Sequence, residues 1–403
     1  MDGRKNYRYG SEDDEYERRD DIAQCSQDTF FHTCNSITMV SQQRIFFDFL
    51  QFCIGSVAEI HASVKDADWK VLYAIAKKQA LIGVLFHGIK QLPKGLAPDE
   101  DLLMKWMGQS QRIRQQNIRL FMDSAKVCKN FKQEGFRCCI LKGQGNALLY
   151  PDSYMRTPGD IDIYLSGGRK HIMQYVNKVC ANQVMRYHHV DFPVMKTPIE
   201  VHFTPSYMFF PLHNHRMQKW FGEVMDLQCS NVVALPDGYG EITVPTVSFN
   251  VIYILSHLYR HVFTEGIGLR QLLDYYFVLL NTNFSNDTNK TVLQCELKNL
   301  GLWKFAGAVM YVQHEVFGLL EDKMIAPMDE KEGKFLLSEI MRGGNFGQYD
   351  NRLGSRENES KLHRYFRMNL RNLRFVKHYP TEALSEPLFR TWFAVWKKMH
   401  GIR

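Results

Sequence analysis

The sequence lacks any apolar run long enough to cross a bilayer. No stretch approaches the ~20 consecutive apolar residues that a membrane-spanning helix needs, and the charged N-terminus does not resemble a signal peptide. The nine cysteines are scattered, odd in number and without a C-x-x-C pair, so they indicate neither a disulfide framework nor a zinc ribbon. We therefore expect a protein that is neither exported nor membrane-spanning and that resides in the cytoplasm.

A strong charge of either sign is also lacking. Lysine and arginine number 50 against 43 acidic residues, which leaves a net charge of +7 over 403 residues. This mild excess favours anionic partners in general, including nucleotides, nucleic acids and acidic lipids, without selecting among them. With 45% hydrophobic and 13% aromatic residues, the chain can form a buried core and about two or three domains.

Hydrophobic periodicity divides the chain into four segments. Residues 1–38 are polar, show no periodicity and are predicted to be a disordered tail, which a misassigned start site or an expression leader would explain. Residues 39–135 have helical periodicity, and residues 136–246 contain short strands. Helical periodicity returns in residues 247–403. We therefore expect a central core between two helical regions.

A long helix is predicted before the first strand. Its apolar residues recur at heptad spacing, at Trp106, Ile113, Leu120 and Val127. The pattern ends near Gly135, which allows up to about nine helical turns. Short strands are predicted at residues 138–141, 161–165 and 199–203. Together these elements predict an α+β fold.

Two aspartates alternate with isoleucines in the second predicted strand. Because successive side chains of a strand point to opposite faces, Ile161 and Ile163 face the core while Asp160 and Asp162 share the other face. Two carboxylates that converge on one point suit metal-assisted phosphoryl transfer, since divalent magnesium prefers hard oxygen ligands. Alternatively, an Asp-x-Asp pair can be an ordinary feature of a surface strand or turn.

The third predicted strand supplies another carboxylate. Its alternation places Glu200 and His202 on one face and the apolar residues on the other. Glu200 would complete a metal site with the two aspartates and act as the general base, or it would be an exposed carboxylate paired with a lysine. His202 would either touch substrate or only cover the site.

The first predicted strand runs into a glycine-containing turn. In Leu141-Lys142-Gly143-Gln144, such a turn exposes backbone N–H groups to an anion. Lys142 and Arg156 would add positive charge beside phosphates, unless they are ordinary solvated charges.

These motifs, in this order, resemble the bacterial uncharacterised nucleotidyltransferase family, which is placed in the DNA polymerase beta superfamily. The resemblance covers roughly residues 80–380. It implies a small mixed β-sheet with a polymerase-beta-like nucleotidyltransferase core at 136–246, Mg²⁺ or Mn²⁺ as cofactor, and a nucleoside triphosphate as substrate. It implies that the metal ligands and catalytic residues are Asp160, Asp162 and Glu200, and that the nucleotide-binding residues are Lys142, Gly143, Gln144, Arg156 and Gly159. The phosphate-binding turn of the superfamily usually carries Gly-Ser or Gly-Gly, so Gln144 after Gly143 is a departure that puts nucleotide affinity and catalytic competence in question.

A histidine pair marks the start of the C-terminal helical region. His257, His261 and Glu265 share one face of a predicted helix, which would turn toward the cleft and contact substrate or, alternatively, hold a zinc ion. Arg270 and Asp274 are four residues apart and are predicted to pair. The family resemblance makes Arg270 a nucleotide or acceptor contact.

Basic residues recur every three or four positions in residues 364–377. They predict an amphipathic helix whose basic face is either solvated or a dock for an acidic partner such as RNA, a phosphopeptide or lipid headgroups. An apolar stripe follows, at Trp392, Val395, Trp396 and Met399. We interpret this stripe as core packing rather than as a membrane anchor.

Three functions compete at this level. The first is transfer of a nucleoside monophosphate from a triphosphate to an unknown small molecule, protein or RNA by two-metal catalysis. The second is a metal-dependent sugar-nucleotide glycosyltransferase, which predicts a sizeable nucleotide-binding sheet before the Asp-x-Asp pair, where this sequence is helical. The third is a catalytically inactive module that binds a nucleotide, RNA or a protein.

Overall fold

The computed structural model describes residues 32–284, 287–352, 354 and 360–400. Four helices precede the sheet: α1 (His32–Cys53), α2 (Trp69–Lys78), α3 (Ile82–Ile89) and α4 (Glu100–Gln133). Helix α1 begins inside the tail that we predicted to end at residue 38, whereas residues 1–31 lie outside the described part. The 34 residues of α4 confirm the predicted long helix, which begins where the Asp99 carboxylate accepts a hydrogen bond from the Leu102 amide.

A small mixed sheet forms the centre of the α+β fold. Its strands are β1 (Cys138–Ile140), β2 (Ile161–Leu165), β3 (His189–Asp191) and β4 (Ile199–His202), in the spatial order β1-β2-β4-β3. Strands β2 and β4 pair in parallel, and the outer strands pair with them in antiparallel fashion. The three predicted strands are confirmed; β3 was missed because three residues give too short a pattern to recognise.

Further elements connect and cover this sheet. They are α5 (Gln144–Ala147), α6 (Gly168–Val179), α7 (Pro211–Gln228) and a hairpin of β5 (Val232–Ala234) with β6 (Glu241–Thr243). The C-terminal region is helical, as predicted, with α8 (Val247–Thr264), α9 (Leu269–Asn281), α10 (Asp287–Asn299), α11 (Trp303–Phe317), α12 (Glu330–Gly343), α13 (Lys361–Val376) and α14 (Pro380–Met399).

The two helical regions share one hydrophobic core. Buried side chains of α1 to α3 pack with those of α8 to α12, whereas the sheet packs against α4 and α6 in a second cluster. Buried polar contacts join the same regions, because Gln79 of the N-terminal region donates to the Ile340 carbonyl and accepts from the Leu269 amide. The helices therefore form a single body that holds α8 and α9 over the sheet.

Helix α13 is oriented differently from its prediction. Within residues 364–377, Arg371 is buried, and Arg374 forms ion pairs with Asp350 and Glu339 at 3.1 and 3.5 Å. The exposed side of α13 presents Arg364, Phe366, Leu370, Leu373 and Lys377. The basic face is thus partly turned inward, because carboxylates of the preceding segment neutralise it.

The core-packing interpretation of the last apolar stripe is wrong for most of its length. Trp392, Val395 and Met399 are 51%, 54% and 78% exposed. Helix α14 instead buries its opposite side, where Phe389 stacks on Tyr207 with ring centroids 5.2 Å apart. Among the helices of the described ranges, none is long and apolar enough to span a membrane.

Candidate active site

Asp162 and Glu200 lie side by side on the central parallel strand pair. The two residues are register partners in β2 and β4, so their side chains leave the same face of the sheet. Asp160 lies two residues before Asp162, immediately ahead of β2. The structure thus brings Asp162 and Glu200 together, since the sheet positions both of them. Asp160 lies near enough for the Asp162 charge to raise its pKa, but it belongs to none of the groups of ligand atoms within 4.8 Å of one another that the described residues form.

Asp162 is buried and held by two positively charged or protonatable groups. His202 Nε2 lies 3.0 Å from Asp162 Oδ1, and Lys142 Nζ lies 3.1 Å from Oδ2. Burial alone would raise the pKa of Asp162, but the Lys142 charge and the His202 hydrogen bond outweigh it and hold that pKa well below its ordinary value. Asp162 is therefore a permanent anion.

Asp160 is in the opposite electrostatic situation. Protein atoms crowd its half-buried carboxylate, and this desolvation together with the charge of Asp162 raises its pKa to about 7, while Lys142 acts against the shift. The charge of Asp162 therefore opposes ionisation of Asp160, and the Lys142 ammonium offsets only part of this repulsion.

Glu200 is the most accessible of the three carboxylates. Its side chain is 24% exposed, with Oε2 3.3 Å from His189 Nδ1 and 3.6 Å from His202 Nε2. Burial raises its pKa, but the His202 hydrogen bond and the nearby His189 give a net lowering. Glu200 is therefore ionised and open to an approaching hydroxyl.

The donor set fits a divalent cation. One ligand atom each from Asp162, Glu200 and His202 lie within 4.8 Å of one another. Two overlapping groups meet the same distance limit: His188 with His189 and His202, and His189 with Asp191 and Glu200. Oδ2 of Asp162 is buried and forms an ion pair with the Lys142 ammonium at 3.1 Å. Carboxylate oxygens are ligands that Mg²⁺ and Mn²⁺ prefer, and this site has more carboxylates than positively charged side chains.

The glycine turn lies against the aspartates. Gly143 has a φ of +62°, a left-handed conformation that favours glycine, and a Cβ there would lie 3.5 Å from the Asp160 carbonyl oxygen. The Gln144 side chain is buried, with Oε1 3.5 Å from Ser124 Oγ of α4. Gln144 therefore turns its amide into the protein and can meet a nucleotide only through its backbone.

Arg156 is committed to a structural ion pair. Its Nε and NH2 groups donate to the two carboxylate oxygens of Asp274 at 2.7 and 2.8 Å, and the Tyr150 hydroxyl donates to the same carboxylate at 2.7 Å. The predicted pairing of Arg270 with Asp274 is thus wrong. Arg270 donates instead to the Thr157 carbonyl at 3.0 Å, beside Gly159, and so fixes the segment that leads into Asp160.

Helix α8 contributes two histidines and an arginine next to the carboxylate site. His257 Nε2 lies 3.2 Å from Lys142 Nζ, which connects the predicted histidine to the site. His257 and His261 both turn toward Arg260 rather than toward a shared ligand position, with ring nitrogens 3.2 and 3.1 Å from its NH2 group. A guanidinium at this distance disfavours the alternative zinc site, although Glu265 does lie 3.3 Å from His261.

Sequence reasoning missed three residues of this group. His189 begins the short strand that was not recognised, and His188 directly precedes it, whereas Arg260 lies between the two histidines that were singled out. Their only sequence signals are two adjacent histidines before a valine and an arginine one residue from a histidine. Neither pattern is specific.

Comparison with models of known families adds independent support. Residues 65–318, well over half of the chain, match the model described as an uncharacterised nucleotidyltransferase. The matched range contains every predicted site residue, from Lys142 to Arg270. No curated protein matches the chain. The fold, the carboxylate site and this match together establish that the chain belongs to the uncharacterised nucleotidyltransferase family.

Proposed function

We propose that the protein transfers a nucleoside monophosphate from a nucleoside triphosphate to an acceptor, with release of pyrophosphate. The observation that carries this proposal is the register of Asp162 with Glu200 on parallel strands, with Asp160 two residues away. This arrangement gathers three carboxylates against the charge of one lysine. Such an excess of negative charge is costly unless a cation or a proton balances it.

Each carboxylate has its own part in the proposed reaction. Asp160 and Asp162 hold divalent metal ions, and Glu200 completes the site and accepts the proton of the acceptor hydroxyl. When bound, Mg²⁺ neutralises the triphosphate and makes the attacking oxygen more nucleophilic. His202 fixes the orientation of Asp162 through its hydrogen bond, and Lys142 supplies a positive charge for a phosphate oxygen.

The nucleotide-binding segment includes the Gly143 turn and the stretch before Asp160. Gly143 allows close backbone approach, while Arg270 donates to the Thr157 carbonyl and the Arg156 side chain is anchored on Asp274. We therefore assign Arg156 and Arg270 a positioning role.

The acceptor side remains chemically open to several substrates. His202 and His257 border the site and are candidate contacts, and the exposed Arg364 and Lys377 of α13 are candidate contacts for an acidic acceptor. The glycosyltransferase alternative gains no support, because residues 32–137 contain only helices among their regular elements.

An inactive binding module is favoured by one observation alone. The buried Gln144 side chain stands where the superfamily's turn usually offers serine or glycine to a phosphate. Three carboxylates at the centre argue for retained activity, since a pure binding module has no need to maintain their repulsion.

Labelled triphosphates test the proposal. The wild-type protein is mixed with Mg²⁺ and a pool of RNA, protein and metabolites. With a triphosphate labelled at the α-phosphorus, the label is expected to move to an acceptor. With a triphosphate labelled at the γ-phosphorus, the label is expected to appear in pyrophosphate. Glu200→Gln should abolish both, whereas Asp226→Asn, an exposed carboxylate of α7, should leave them unchanged. Transfer of γ-label would instead identify a phosphoryl transferase and overturn the proposal.

A further inference from the structure

Arg260 is a buried cation at the edge of the carboxylate site. It is only 8% exposed, and its guanidinium contacts three imidazoles: His188 Nε2 at 3.1 Å, His257 Nδ1 at 3.2 Å and His261 Nε2 at 3.1 Å. One face of the guanidinium lies over the Tyr207 ring, 5.1 Å from its centroid. Buried guanidinium groups are normally paired with carboxylates, because desolvating an uncompensated charge is expensive.

No such carboxylate is present for Arg260 in the described part of the chain. The contrast is Arg156, whose guanidinium is matched by both oxygens of Asp274. Burial, reinforced by Arg260 and neighbouring groups, lowers the pKa of His188 and of His257 well below its ordinary value. These rings are therefore neutral. Their nitrogens can accept hydrogen bonds from Arg260, but they carry no negative charge to balance it.

His257 stands between two cations. Its Nδ1 lies 3.2 Å from Arg260, and its Nε2 lies 3.2 Å from the Nζ atom of Lys142. A neutral imidazole has one N–H group and one lone pair, whereas guanidinium and ammonium groups only donate. Whichever tautomer His257 adopts, one of the two contacts sets a donor against a donor. The free site therefore contains a conflict that an additional acceptor would remove.

The Lys142 ammonium cannot resolve the conflict by losing its proton. Its Nζ atom lies 3.1 Å from Asp162 Oδ2, and this ion pair with a buried carboxylate keeps the ammonium charged. Lys142 and Arg260 thus form a pair of permanent cations on either side of one neutral ring.

We propose that Lys142 and Arg260 together bind a phosphate group of a substrate, which accepts the hydrogen bonds that His257 cannot. Phosphate oxygens only accept, and a guanidinium with an ammonium is a suitable pair of partners for them. This inference rests on the proposed function for the identity of the substrate. The group enters from the solvent side of Lys142 and Glu200, whose side chains are 20% and 24% exposed.

The phosphate can belong either to the nucleotide or to the acceptor. In the strand order β1-β2-β4-β3, the Gly143 turn follows β1 at one edge, whereas His188 precedes β3 at the other edge. Arg260 contacts His188 near β3 and also His257, whose other ring nitrogen contacts Lys142 beside the turn. The phosphate site therefore lies between the two edges, and competition with the triphosphate decides which substrate carries the phosphate.

Thermal unfolding with orthophosphate tests the site without any metal. In EDTA, and against sodium chloride of equal ionic strength, phosphate should raise the melting temperature of the full chain with saturation. Arg260→Gln should weaken the apparent affinity by about ten-fold or more, since it removes a charge-assisted contact of ~1.4 kcal/mol or more. Arg260→Lys keeps the charge but loses the planar fork and should bind several-fold more weakly than wild type. Arg119→Gln, at an exposed arginine of α4, is the matched control and should bind as wild type does.

Two results would overturn the inference. One is a wild-type protein without a saturable phosphate shift; the other is an unchanged affinity in Arg260→Gln or, if that variant does not fold, in Arg260→Lys. The double variant Asp160→Asn/Asp162→Asn separates this inference from the proposed function, because it should keep phosphate binding while losing Mg²⁺-dependent triphosphate binding. Phosphate that still binds in the presence of saturating Mg²⁺ and triphosphate assigns the site to the acceptor, and phosphate that is displaced assigns it to the nucleotide.

Discussion

Two clusters of buried carboxylates in this protein are balanced in opposite ways. Asp274 is surrounded by donors, since Arg156 and Tyr150 satisfy both of its oxygens. The cluster of Asp160, Asp162 and Glu200 has three carboxylates, and its donors are Lys142, His202 and His189. Burial opposes ionisation at both places, but the second has three carboxylates around a single lysine, whereas Asp274 has an arginine to itself.

The difference separates a structural brace from a functional site. The Arg156 pair attaches α9 to the segment after α5, and it lowers the pKa of Asp274 against the effect of burial. In the other cluster, desolvation and the neighbouring charge of Asp162 raise the pKa of Asp160 to about 7, and Lys142 offsets only part of this shift. Perturbed carboxylates that remain underbalanced are typical of sites that await a metal or a substrate.

The largest effect should follow removal of a metal ligand. Asp162→Asn keeps the shape of the side chain but removes one charge, and we expect nucleotidyl transfer to fall about a thousand-fold, equivalent to ~4 kcal/mol in the activation barrier. Initial rates of α-label transfer measure this loss. A variant within about ten-fold of wild type would place the metal elsewhere.

The brace should respond in stability rather than in chemistry. Asp274→Asn leaves Arg156 buried without a partner, and we expect the free energy of unfolding to fall by about 3–5 kcal/mol, as determined by urea denaturation. The double variant Arg156→Met/Asp274→Leu removes both charges and should be more stable than Asp274→Asn. A loss below ~1 kcal/mol in Asp274→Asn would show that the pair is not structural.

Asp160→Asn should have the opposite effect on stability. It removes a carboxylate that Asp162 repels, so in EDTA at pH 8 the free energy of unfolding should rise by about 1 kcal/mol. Added Mg²⁺ should reverse the order, because it stabilises the wild-type site. Destabilisation of Asp160→Asn in EDTA would contradict the underbalanced cluster.

The smallest effect, but the sharpest contrast, lies in the pH dependence. Asp274 has a lowered pKa in the folded protein, so its contribution is complete above about pH 4 and is lost as the pH falls below that value. Asp160 has a raised pKa, so stability is lost as the pH rises from about 4 to 7 in metal-free buffer. For each asparagine variant, the free energy of unfolding of the variant can be subtracted from that of the wild type and plotted against pH. The two plots should slope in opposite directions. Parallel slopes would remove the distinction between the clusters.

The sequence was most informative where period and chemistry coincide. Alternation around Asp160 and Glu200 predicts two strands whose polar residues share a face, and the parallel register of β2 with β4 confirms that Asp162 and Glu200 meet. The heptad repeat likewise predicts α4, because a helix of 34 residues repeats its apolar pattern often enough to be recognised. Local patterns of this kind survive folding unchanged.

What the sequence could not predict depends on contacts between distant segments. Asp274 lies four residues from Arg270 but pairs with Arg156, 118 residues away, because the two-oxygen contact with a guanidinium outweighs a helical neighbour. The inward turn of Arg374 depends in the same way on Glu339 and Asp350. Exposure of the α14 stripe is also a tertiary property, since apolar periodicity shows that a helix has a face but not what covers it.

Metal-dependent nucleotide binding tests the central claim most directly. Calorimetric titration of ATP, GTP, CTP and UTP with Mg²⁺ should detect binding of at least one triphosphate to the wild-type protein. Binding should disappear in EDTA and in Asp160→Asn/Asp162→Asn, while the double variant keeps its fold. Equal binding by both proteins with and without Mg²⁺, or none to either, would contradict a metal-dependent nucleotidyltransferase site at these carboxylates.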